Sequence, residues 1–130
     1  MKLRIKDHSL RIRLTRSEVL QLSQTGIVEA TTPFPESEFR YAVQVVTDSK
    51  GLDGRISAYS IEMLVPEDFI REWPYNNEVG IRSTISLPNG QELKLLLEKD
   101  FVCLDDTDED QSDQYDNPNA KCMPVSTQQE

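Results

Sequence analysis

The chain is poor in the residues from which most active sites are assembled. Its 130 residues include one histidine and two cysteines. Any Ser-His-Asp or Cys-His arrangement must therefore use His8, which stands between Asp7 and Ser9 in a predicted turn, and neighbours in sequence do not make a triad. Cys103 ends an apolar stretch and Cys122 lies well downstream, so they match neither a disulfide framework nor paired zinc ligands. Glycine is scarce, and no phosphate-cradling loop or nucleotide fingerprint occurs. No apolar run nears the length of a membrane-spanning helix, and the opening residues alternate charge with aliphatics where a secretory signal is continuously apolar. These absences predict a cytoplasmic protein that uses no cofactor and meets no membrane.

Charge is plentiful and unevenly spread. The formal net charge is −9. Residues 1–16 hold six bases and one acid, residues 17–100 seven bases and fourteen acids, and residues 101–130 one base and eight acids. So acidic a chain is unsuited to wrapping nucleic acid, because the field of the whole repels the polymer that a few cations would attract. A small anion is a better match for the basic opening.

That opening alternates. Leu3 and Ile5 face one way and Lys2, Arg4 and Lys6 the other; after a turn at Asp7 to Ser9, Leu10, Ile12 and Leu14 alternate with Arg11 and Arg13. The pattern predicts a hairpin with Lys2, Arg4, Lys6, Arg11 and Arg13 on one face, a candidate site for a phosphate, a carboxylate or an acidic segment. The competing reading is a solvated face whose cations pair weakly with Glu29, Glu38, Glu62 or Glu92.

Further along, Thr15-Arg-Ser-Glu18 is a capping box that starts a short helix carrying Val19, Leu20 and Leu22, and Gly26 suits its end. Strands are predicted over 27–32 and 38–46, then a single strand over 55–65. A second short helix begins at Pro66-Glu67-Asp68 and carries Phe69, Ile70 and Trp73, the last at core spacing. Strands over 79–87 and 91–102 flank the turn Pro88-Asn89-Gly90. The halves repeat in kind: an offset of 50 sets Leu14 on Leu64 and Leu20 on Ile70, and an offset of 54 sets Gly26 on Gly80 and Phe39 on Leu93. The fold class expected is α+β, a mainly antiparallel, barrel-like sheet of about seven strands from a duplicated β-α-β-β unit plus an N-terminal strand, with two short helices.

The globular domain is expected over 1–104. Residues 105–130, DDTDEDQSDQYDNPNAKCMPVSTQQE, have the composition of a flexible acidic tail. Asp106, Asp108 and Asp110 occupy the first, third and fifth positions of a calcium loop, but Gln111 and Asn117 stand where glycine and the bidentate glutamate are needed, which excludes an EF-hand.

The basic opening MKLRIK, the segment KDFVCL at Lys99 to Leu104 and the acidic Asn-Pro tail at Asp108 to Pro118 resemble a small family of uncharacterised bacterial proteins, a domain of unknown function. The resemblance implies a bacterial cytoplasmic protein and carries no site residues. The leading expectation is a small non-catalytic binding or interaction module whose partner is a small anion or a protein. One alternative is an enzyme using His8 and Cys103, or tail carboxylates with a metal. Another is a structural subunit that offers sheet edge and aromatic surface to a complex.

Overall fold

The computed structural model describes residues 1–101 together with Asp113 and Tyr115. Its elements follow in the order β1 (Lys2–Lys6), β2 (Ser9–Leu14), α1 (Arg16–Thr25), β3 (Ile27–Pro33), β4 (Glu38–Val46), β5 (Asp53–Ser57), β6 (Ser60–Pro66), α2 (Glu67–Glu72) with a 3-10 turn at Trp73–Tyr75, β7 (Gly80–Ser86) and β8 (Glu92–Lys99).

Local chemistry explains most of the boundaries. The Thr15 hydroxyl accepts from the Glu18 N–H while the Glu18 carboxylate accepts from the Thr15 N–H, so the predicted capping box is formed, and Gly26 ends α1 at φ 86°. Gly90 turns the β7-β8 hairpin at φ 85°. Pro66, which needs no hydrogen-bond partner for a missing N–H, precedes the acidic first turn of α2.

Three expectations are corrected. The stretch read as one strand over 55–65 is a hairpin, β5-β6, reversed at Ala58-Tyr59 with Tyr59 at φ 62°. A tyrosine in the left-handed region carries no turn signal in sequence, so the reversal was hidden. Eight strands result, and each half reads hairpin, helix, hairpin; β1 is the counterpart of β5 and no addition to the first half. The helix-side offset is also wrong by a residue. Leu10, Ile12 and Leu14 take the places of Ile61, Met63 and Val65, and Val19 and Leu22 those of Ile70 and Trp73, an offset of 51. One residue of slip exchanges inward and outward positions, which is why Leu64 was a false partner for Leu14. The offset of 54 holds for β4 and β8, whereas β3 and β7 differ by 53.

Last, the strands form no closed barrel among the described residues but two mixed four-stranded sheets, in the orders β1-β2-β8-β7 and β3-β4-β6-β5. Each sheet takes one hairpin from each half, and the hairpins join through parallel pairs, β2 with β8 and β4 with β6. Exchanging the halves turns one sheet order into the other. Two backbone bonds obey the same exchange: Lys94 N donates to the His8 carbonyl as Arg40 N does to that of Tyr59, each at 2.8 Å. The inner faces of both sheets meet Val19, Leu22, Ile70 and Trp73 in one apolar cluster. Burial of these aliphatic and aromatic groups is the main favourable term in holding the two sheets together.

Candidate anion-binding face

Strand pairing brings the five predicted cations together. In β1-β2, Lys2 lies opposite Arg13, Arg4 opposite Arg11, and Lys6 opposite Ser9, with Leu3, Ile5, Leu10, Ile12 and Leu14 on the reverse face. The parallel pairing with β8 and the antiparallel pairing with β7 then extend this surface. Arg4, Arg11, Leu96 and Arg82 form one cross-strand row, and Lys6, Ser9, Lys94 and Thr84 the next. The outer face therefore carries two cations beyond the predicted five, Arg82 and Lys94. Sequence alternation within β7 and β8 put them on the polar side of each strand, but only the strand order reveals that this side adjoins the basic hairpin.

Some of this charge is compensated. Arg11 donates from Nε to Glu98 Oε1 at 2.8 Å, and its second guanidinium nitrogen is 2.7 Å from the same oxygen. Arg13 reaches that carboxylate at 3.6 Å, and Lys2 approaches Asp100 at 3.3 Å. Among the described residues these pairs use Glu98 and Asp100, where the sequence predicts Glu29, Glu38, Glu62 or Glu92. Glu29 and Glu62 are engaged on the other sheet, where Arg40 donates to both at 2.6 and 2.9 Å and Arg55 to Glu62 at 2.6 Å. Glu62 is held below its ordinary value by these hydrogen bonds from Arg40 and Arg55. Lys6, Arg82 and Lys94 form no ion pair among the described residues. They line an open groove of about 520 Å³ together with Arg4 and Arg11. A second hollow of about 290 Å³ lies against Lys2, Arg4, Arg11 and Arg13.

A separate polar corner, missed in the sequence, sits at the end of β8. Lys99 continues the inward series Leu93, Leu95, Leu97 and occupies the place that Val45 holds in the other half. It is only 4% exposed, and the neighbouring Asp100 only 3%. Lys99 Nζ donates to the Asn76 carbonyl at 2.8 Å and stands 4.9 Å from the Tyr115 ring centroid and 5.7 Å from that of Trp73. Burial, and then the Arg16 charge, hold its pKa below the usual lysine value. The two described residues of the acidic stretch close this corner. Tyr115 is buried, pairs with Phe101 and raises its own phenol pKa through burial. The Asp113 carbonyl accepts from Arg16 N at 2.9 Å and its carboxylate from Ser17 N at 3.1 Å, so Asp113 and Thr15 together satisfy the first three N–H groups of α1. The alternation Leu93-Leu95-Leu97-Lys99 was the available signal for a buried lysine.

His8 is exposed in the β1-β2 turn, and its proposed companion Cys103, like the carboxylates Asp106, Asp108 and Asp110, lies outside the described residues. No cluster of three or more potential metal ligands occurs among the described residues. No helix there is long and apolar enough to cross a membrane.

The chain belongs to a family whose description is simply that of a family of unknown function, DUF7009; the match covers residues 1–119. Comparison with curated proteins and with solved structures finds no match.

Proposed function

We propose that this member of a family of unknown function is a non-catalytic binding module whose outer β1-β2-β8-β7 face holds a small anion, phosphate or carboxylate in kind. The observation that carries this reading is the groove at Arg4, Lys6, Arg11, Arg82 and Lys94, three of whose cations have no carboxylate partner among the described residues. Side chains directly across neighbouring strands stand roughly 5 Å apart at Cβ, so their like charges repel, and an anion accepting from several of them at once relieves the repulsion. The overall negative charge of −9 disfavours a long polyanion but not a compact one that lies within the screening distance of the face. The repeated hairpin-helix-hairpin order also supports an internal duplication.

The test is calorimetric titration of the full chain with inorganic tripolyphosphate at low ionic strength. Saturable binding is expected, and Lys6→Glu with Lys94→Glu should weaken it at least tenfold without altering the far-ultraviolet circular dichroism. No saturable heat, or affinity unchanged in the double variant, would overturn the reading.

A further inference from the structure

A cleft of about 220 Å³ opens between the tips of the two hairpins that begin each half, walled by Ile5 and Leu10 from one and Ile56 and Ile61 from the other, with Leu93 alongside. It adjoins the basic groove directly, because Ser9 and Leu10 line both. From this continuity, and resting on the anion-binding reading above, we infer that the anion held on the basic face carries a short aliphatic chain, and that this chain lies in the cleft.

One difference between the halves contributes to opening the cleft. Leu3 packs against the core, but its counterpart across the exchange of halves is Gly54. A Cβ at Gly54 would lie 3.6 Å from Leu95 and 3.8 Å from Leu93, ordinary contact, so the space is open through lack of a side chain and not through backbone need. Around it, Ile5 is 59% and Ile56 78% exposed. Paired aliphatics left in water beside a concave apolar wall are the arrangement that an apolar group covers favourably. The volume is below the roughly 300–1,000 Å³ of sites that enclose a whole ligand, so the cleft takes one chain while the charged head remains outside on Lys6, Lys94 and Arg82. Complementarity thus runs from cations to aliphatics over one continuous surface, which suits an alkyl phosphate or an alkyl carboxylate.

The experiment titrates the full chain with inorganic phosphate, monobutyl phosphate and monohexyl phosphate, and in parallel with acetate, butyrate and hexanoate. Affinity should rise about three- to fourfold for each added methylene, the increment expected for burying one such group, in whichever head-group series binds. Gly54→Val, which fills the cleft, should flatten the series while the unsubstituted anion binds as before. Ile56→Ser tests the same wall at an exposed position where folding is not at risk. Equal affinity for inorganic and hexyl phosphate, and for acetate and hexanoate, overturns the inference while leaving the anion face intact. A chain-length gain that survives both variants also overturns it. Absence of binding by every probe removes the anion face as well.

Discussion

The outer faces of the two sheets occupy equivalent positions in the fold and carry opposite balances of charge. The β1-β2-β8-β7 face presents seven cations, Lys2, Arg4, Lys6, Arg11, Arg13, Arg82 and Lys94, against Glu92, Glu98 and, just past β8, the Asp100 that Lys2 approaches. The β3-β4-β6-β5 face presents Arg40 and Arg55 against Glu29, Glu38, Asp53 and Glu62. Position by position, Arg4 corresponds to Arg55 and Lys94 to Arg40, so two cations are common to both faces. Arg11 and Arg82, however, correspond to Glu62 and Glu29, the two carboxylates that neutralise those cations on the other sheet. These two changes of sign, and a third at Lys2 in place of Asp53, separate a face whose arginines are paired from one on which Lys6, Arg82 and Lys94 have no carboxylate partner among the described residues. The same scaffold thus carries either balance of charge on its outer face.

The strongest way to break this contrast is to graft one face onto the other. Arg11→Glu and Arg82→Glu, with Glu98→Gln to copy Gln44, should recreate the neutral network on the basic sheet. Tripolyphosphate affinity should fall at least ~100-fold, since two charge-assisted hydrogen bonds of about 1.5–3 kcal/mol each are removed, while the melting temperature stays within a few degrees. A stability contrast comes next. Glu62→Gln leaves Arg40 and Arg55 with weaker partners and should cost about 1 kcal/mol in urea unfolding, whereas Arg82→Gln should be neutral or slightly stabilising because it removes a cation with no carboxylate partner among the described residues.

The pH dependence sharpens the comparison further. Because the folded pKa of Glu62 is lowered by its arginine hydrogen bonds, its contribution is present above the unfolded value of 4.5 and is lost as pH falls through the lower folded value. Glu62→Gln should flatten that part of the acid unfolding profile. The smallest effect concerns Lys99 against its counterpart Val45. A lysine whose folded pKa is depressed binds fewer protons folded than unfolded in the interval below 10.5, so the protein gains stability there as pH rises. Tyr115, with its pKa raised above 10.0 by burial, opposes this at higher pH. Unfolding compared between Lys99→Met and the parent, both carrying Tyr115→Phe, should show the parent gaining stability relative to the variant as pH rises toward 10.5.

Much of the fold was legible where a local rule acts through one residue type. Thr15 with Glu18 marked the start of α1, Gly26 its end, and Asn89-Gly90 a hairpin. Strict alternation placed Lys2, Arg4, Lys6, Arg11 and Arg13 on one face before any strand partner was known. What escaped depends on relations between distant segments or on a rare local conformation. Tyr59 reverses the chain without a glycine, so β5 and β6 were read as one strand and the repeat slipped by a residue. Arg82 and Lys94 joined the basic face only through the order β2-β8-β7. Lys99 and Asp100 are tolerated in the interior by Asn76, Tyr115 and Lys2, partners that no periodicity could supply.

The parallel pairings of β2 with β8 and β4 with β6 have a kinetic consequence. Residue 10 must find residue 95 before the first sheet exists, and residue 43 must find residue 63 across the boundary of the halves before the second does. Neither half holds a complete sheet, so loop-closure entropy has to be met early and folding should be slow for a chain of this size, with a single cooperative transition. Cut in the connection at residues 48–52, the two pieces should each be unfolded alone and regain structure only when mixed, each serving as the other's template.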